Sequence, residues 1–257
     1  MKTNFRARGV RAGVHVVLLS LATIWPLTAS AYRPFNSTDA AVAAKGEMEI
    51  EFGPVGYLRE GADGMLVAPA LILNWGVADR WEAVLEGAAL FELGSELQGP
   101  RGRVEDTAFS LKGVLREGSL QEKHGFSIAT ELSVLLPTIN GDPGTGAQGT
   151  IIVSQRWTDV TVHVNGAAAW TRAHNPGAFG GLILEGHDAW AVRPVAEAFV
   201  EAERDLPTTV SGLLGTIWRV SDRLSLDAAV RLSRAGGVST SEIRAGLTWG
   251  FSVGFPR

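Results

Sequence analysis

Gly246-Leu247-Thr248-Trp249-Gly250-Phe251-Ser252-Val253-Gly254-Phe255 alternates without a break between small or polar residues and large apolar ones. Successive side chains of an extended chain point to opposite sides, so Leu247, Trp249, Phe251, Val253 and Phe255 share one face of a predicted strand. The same period recurs upstream. Leu224, Leu226, Ala228, Val230 and Leu232 alternate with Ser225, Asp227, Ala229, Arg231 and Ser233, and Phe126, Ile128, Thr130, Leu132 and Val134 alternate with Ser127, Ala129, Glu131 and Ser133. Trp81, Ala83, Leu85, Ala89, Phe91 and Leu93 stand against Glu82, Glu86 and Glu92, while Met48, Ile50 and Phe52 stand against Glu47, Glu49 and Glu51. One face suits hydrocarbon and the other needs water or polar partners, which is the two-sidedness of a membrane-spanning β-barrel.

The first residues carry Lys2, Arg6, Arg8 and Arg11 and no acid, followed by an apolar stretch over 14–27 broken by His15, Ser20, Thr23 and Pro26. That stretch is too short and interrupted for a bilayer-spanning helix of about 20 residues. With Ala29-Ser30-Ala31 after it, the segment reads as a cleavable signal peptide over 1–31. Removing its four cations takes the formal net charge from −4 to −8, and the remaining bases are dispersed among acids, which argues against a nucleic-acid partner. The chain has no cysteine, so disulfides and thiolate metal or haem motifs are excluded. A soluble secreted β-protein is the non-membrane alternative.

The alternating runs predict an all-β, antiparallel up-and-down transmembrane barrel with strands near 46–57, 64–75, 80–93, 104–116, 125–136, 148–157, 160–171, 179–187, 190–203, 208–220, 223–234 and 242–254. Weak runs at 104–116 and 179–187 leave ten or fourteen strands as alternatives to twelve. Residues 32–45 fall before the barrel, as a periplasmic N-terminal segment. Short connections are expected on the periplasmic side, at 76–79, 158–159 and 221–222, and longer ones outside, at 94–103, 137–147, 172–178 and 234–241. Trp75, Trp157 and Trp218 each reach a short turn containing Asp79, Asp159 or Asp222, as an interfacial aromatic girdle would. The chain ends on Pro256 and Arg257 after Phe255, a departure from the terminal aromatic residue with which such barrels commonly finish.

Against that pattern, Arg33-Pro34-Phe35-Asn36-Ser37-Thr38-Asp39-Ala40 followed by Lys45-Gly46-Glu47-Met48-Glu49 resembles the opening of the "MetA-pathway of phenol degradation" family of outer-membrane proteins. Gly76-Val77-Ala78-Asp79-Arg80 and Leu135-Leu136-Pro137-Thr138 extend the likeness. The resemblance implies an outer-membrane barrel that transports aromatic or other hydrophobic compounds. It brings no catalytic or binding residues with it.

The polar strand face carries the acids Glu47, Glu49, Glu51, Glu82, Glu86, Glu131, Glu197 and Glu201 and the bases Lys112, Arg116, Arg156, Arg193, Arg219, Arg231 and Arg244. Facing lipid at mid-depth, each base would cost about 2–4 kcal/mol, so the lumen is their expected place. His163 shares that face with Thr161 and Asn165 and reads as a lumen residue rather than a catalytic base. No Gly-x-Ser-x-Gly element follows a strand. Glu47, Glu49 and Glu51 project together, but basic residues opposite explain them more simply than calcium does. No catalytic residue, metal ligand or cofactor is assigned. The expected partners are outer-membrane lipid, the barrel assembly machinery and a small-molecule solute, with the oligomeric state open. The expected function is passive passage of small, aromatic or hydrophobic molecules through a narrow charged lumen. An occluded structural or adhesion barrel and an outer-membrane lipid hydrolase or acyltransferase are the alternatives.

Overall fold

The computed structural model describes residues 33–93 and 102–254. The expected signal peptide, most of the 94–103 loop and the last three residues lie outside the described residues. Twelve antiparallel strands form among the described residues: β1 (Glu47–Glu60), β2 (Asp63–Ala78), β3 (Trp81–Leu93), β4 (Gly102–Arg116), β5 (Ser127–Leu135), β6 (Gly146–Arg156), β7 (Val160–Trp170), β8 (Pro176–Gly186), β9 (Val192–Glu203), β10 (Thr209–Ser221), β11 (Leu224–Ala235) and β12 (Val238–Ser252). Each pairs with its sequence neighbours, and β1 pairs with β12 from Glu47↔Ser252 to Glu60↔Thr240, closing the barrel. Closure removes both sheet edges, so every strand finds its hydrogen-bond partners within the wall, as a backbone surrounded by hydrocarbon requires.

The alternation of the sequence becomes an inside and an outside. On β10, Leu213 and Ile217 are 2% and 1% exposed, whereas Leu214 and Trp218 are 72% and 50% exposed. The exterior also carries Leu132, Val164, Leu232 and Ile243, all exposed and apolar. No helix of the described residues is long and apolar enough to cross a membrane; the strands supply the apolar belt. The end where β2, β6 and β10 finish carries six exposed tryptophans, Trp75, Trp81, Trp157, Trp190, Trp218 and Trp249. Three of these were expected from the Trp-Asp turns; Trp81 and Trp249 complete the girdle from β3 and β12, and Trp190 from the β8–β9 connection.

The connections divide the two ends less sharply than expected. The predicted loop over 234–241 is a hairpin: β11 runs to Ala235, β12 starts at Val238, and Gly236 and Gly237 make the turn with φ of 54° and 90°. Positive φ at both central residues matches the right-handed strand twist, and glycine takes it without steric cost. The pairs Arg234↔Ser239 and Ala235↔Val238 show the alternation running into what reads, by composition, as loop. At the opposite end the 117–126 connection is long because it folds into a short 3-10 turn, Ser119–Gln121. Leu120 packs there against Ala40, Ala129 and Ile152.

The burial contrast on β10 predicts the effect of charge on each face. Leu214→Arg is expected to destabilise the folded barrel in lipid by about 2–4 kcal/mol. Equilibrium unfolding in phospholipid vesicles checks this, and an unchanged midpoint would contradict a lipid-facing Leu214.

Candidate functional site

Residues 33–45, expected to stand before the barrel, run through its interior. The physical reason is a row of inward-facing side chains that accept their backbone N–H groups. Arg33 N donates to Glu51 Oε2 (2.9 Å), Asn36 N and Ser37 N donate to the Glu197 carboxylate (2.9 and 2.6 Å), and Thr38 N donates to Asn165 Oδ1 (3.1 Å). Ala40 N donates to Ser154 Oγ (3.0 Å) and Ala43 N to Glu82 Oε2 (2.6 Å). The segment thus passes from β1 past β9, β7 and β6 to β3. It rejoins the wall where Gly46 N donates to Gly76 O (2.8 Å).

Side chains fix it further. The Arg33 guanidinium reaches Asp227 Oδ2 at 3.4 Å and donates to Ala245 O, in a slot that Gly53 and Gly246 leave open. A Cβ on either glycine would come within 2.7 or 2.3 Å of that guanidinium. Arg244 donates to Pro34 O (2.9 Å), and Asn165 Nδ2 to Thr38 O (2.8 Å). Lys112 is fully buried, with its ammonium 3.2 Å from Asp39 Oδ1 and 3.5 Å from Glu82 Oε1. Burying an ammonium is costly unless it is paired, and here one partner comes from the wall and one from the threaded segment.

Most of the residues expected in the lumen are gathered there. Glu49, Glu51, Glu82, Lys112, His163 and Glu197 are buried; Glu47, Glu86, Glu131, Arg156, Arg193, Arg231 and Arg244 lie half-buried on the same strand faces. Glu201 is on the lumen face and exposed to its cavity. Arg116 is a correction. The register shifts between Val114 and Arg116, which takes Arg116 off the inward face and leaves it exposed at the end of β4. Arg219 sits near the end of β10, donating to Ala189 O.

Several partners were not singled out from the sequence. Asn74 donates to Glu51 Oε1 (2.8 Å), Glu242 pairs with Arg231 and Arg244, and Glu185 pairs with Arg193 (3.2 Å). Their inward parity on β2, β12 and β8 was the available signal. Ser154 Oγ lies 2.8 Å from His163 Nδ1, and His163 Nε2 lies 3.6 Å from Glu185 Oε1. Ser154, His163 and Glu185 share the residue types of a hydrolase relay. They face the lumen rather than lipid, and the buried Ser154 Oγ takes the Ala40 N–H.

The threaded segment divides the interior in two. One chamber of about 730 Å³ opens toward the 136–145 and 171–175 loops and is floored by Arg33, Phe35, Asn36, Ser37 and Thr38. A second of about 480 Å³ opens toward the tryptophan-rich end and is lined by Asp39 and residues 41–45.

Comparison with known proteins bears on the fold alone. No protein-family model and no curated protein matches the sequence. Among solved structures, an outer membrane channel from Pseudomonas putida F1 superposes with a TM-score of 0.64 at 8% identity, over 84% of this chain and 100% of that one. The NanC porin gives 0.59 at 8% identity, over 79% and 98%, and the KdgM porin 0.53 at 9% identity, over 79% and 99%. This chain shares its fold with outer-membrane channel barrels.

Glu197 makes a direct test of how the segment is seated. A hydrogen bond to a charged acceptor is worth about 1.5–3 kcal/mol. Glu197→Ala is therefore expected to speed amide hydrogen exchange at Asn36 and Ser37 by about tenfold or more. Unchanged exchange there would show that the two amides are held by something else.

Proposed function

We propose that this protein is an outer-membrane channel for small molecules whose lumen is closed, in the resting state, by its own N-terminal segment. The observation that carries the reading is that two chambers, of about 730 and 480 Å³, meet from opposite ends and are separated by residues 33–45. The barrier is one threaded strand of chain held by side chains, not a sheet or a packed domain. Displacing it would exchange hydrogen bonds to Glu51, Glu82, Glu197, Asn165 and Ser154 for hydrogen bonds to water, without touching the barrel ladder. The fold shared with porins and channels supports the same reading, and the apolar belt with its tryptophan girdle supports the outer-membrane location.

The role assigned is passage rather than covalent chemistry. The resemblance to the phenol-degradation family suggests aromatic or other hydrophobic cargo, and the larger chamber has a wall that suits an aromatic body: Phe35, Phe179 and Phe199 line it, the last two with ring centroids 5.4 Å apart. A permanently sealed structural barrel is favoured by one feature, the buried pairing of Lys112 with Asp39 and Glu82.

Planar-bilayer recording separates the two. The native chain is expected to show rare, brief openings, and the double variant Glu82→Ala/Glu197→Ala to conduct severalfold more on average, because the segment loses two of the three wall carboxylates that accept its backbone N–H groups. A barrel that inserts and folds yet stays silent in both forms would overturn the channel reading in favour of the sealed one.

A further inference from the structure

The larger chamber is not electrically neutral. Eight carboxylates and four arginines line it. The arginines are already engaged by the protein: Arg33 with Asp227, Arg231 and Arg244 with Glu242, and Arg172 with the carbonyl oxygens of Leu136 and Thr107. The carboxylates are not matched in the same way. Among the described residues, Glu86, Asp106 and Glu201 have no ion pair within 4 Å, and Glu131 receives only a long contact from Ser133 Oγ at 3.5 Å. Lys112, opposite Glu131 in the β4–β5 ladder, pairs its ammonium with Asp39 and Glu82 and also acts on Glu131, offsetting part of that carboxylate's charge. Glu86, Asp106, Glu131 and Glu201, from β3, β4, β5 and β9, line this one chamber. Arg172 and Arg231 line the same chamber and offset part of its negative charge.

Two further observations point to what the space would hold. Ser37 and Asn74, 6% and 0% exposed, line the same chamber, and Ser37 Oγ and Asn74 Oδ1 have no hydrogen-bond partner. Asn74 Oδ1 can only accept, and an ammonium can only donate. The tilted Phe179–Phe199 pair lines the same chamber, and its ring faces attract cations and pack against apolar groups.

Resting on the channel reading and narrowing it, we propose that the larger chamber binds organic ammonium ions, small primary amines with an aromatic or aliphatic body. The carboxylates of Glu86, Glu131, Glu201 and Asp106 supply the field, and the phenylalanine wall takes the apolar part. Neutral aromatic compounds meet the same wall without the field, and aromatic acids meet it against the field.

Calorimetric titration of the full-length protein in detergent with benzylammonium, benzyl alcohol and benzoate tests this, because the three share a ring and differ in charge. Benzylammonium is expected to bind about tenfold or more tightly than benzyl alcohol and to weaken as salt is raised, with benzoate weakest. The variant Glu86→Gln/Glu131→Gln/Glu201→Gln should lose about tenfold or more in benzylammonium affinity while keeping that for benzyl alcohol. Its heat-dependent gel mobility checks that it folds, and if it does not, the three-probe comparison on the native chain decides alone. Equal binding of benzyl alcohol and benzylammonium, preference for benzoate, or binding of none of the three would overturn the proposal. Liposome flux of the same probes keeps the two readings apart. Charge-selective binding with no flux sinks the channel and leaves the site, whereas flux of all three without charge preference leaves the channel and sinks the site.

Discussion

A chain threaded through a closed barrel has no strand edge to pair with, so each of its amides must find a side-chain acceptor or remain unsatisfied in a space with little water. At Arg33, Asn36, Ser37, Thr38, Ala40 and Ala43 the structure meets this constraint with inward side-chain acceptors placed along the path: Glu51, Glu197, Asn165, Ser154 and Glu82 in order. Much else follows from it. Acids on the inner wall, which would be costly facing lipid and repulsive facing one another, gain a role as acceptors for backbone N–H groups. The buried Lys112 and the Arg33 slot then balance the charge that those acceptors bring.

The same arrangement divides the molecule into layers of unequal strength. The wall is a continuous ladder in which each strand pairs on both sides. The threaded segment is held by side chains that water can replace, so its release costs far less than opening the wall. A barrel that keeps its wall intact while its interior rearranges can alternate between closed and open states without unfolding, which is what a gated pore requires.

The wall was legible in the sequence to an unusual degree because a membrane barrel allows few exceptions to period-two alternation. Leu224 to Leu232 and Leu247 to Val253 read correctly as outward runs since every second residue must meet hydrocarbon. The Trp-Asp turns marked one end of the barrel for the same interfacial reason. Arg116 was misplaced because a local register shift is invisible to parity counting, and 234–241 read as loop because Gly236-Gly237 looks alike in a hairpin and in a long connection. The threaded segment was hidden for a deeper reason: the amides of Asn36, Ser37, Thr38 and Ala40 pair with residues more than a hundred positions away, and no local pattern carries that information. What the sequence did show was the complementary half, a set of inward acids, read there as paired with basic residues of the wall rather than with backbone amides.

The protein has no cysteine, which makes its central feature open to a direct chemical test. Ala40→Cys and Ser154→Cys place two thiols where Ala40 N now donates to Ser154 Oγ at 3.0 Å. Mild oxidation of this variant in native outer membranes is expected to close an intramolecular disulfide, seen as a reducible change in unheated gel mobility and as loss of alkylation at both positions. Free alkylation of both cysteines in the folded barrel, with no disulfide under oxidation, would contradict a lumen threaded by residues 33–45.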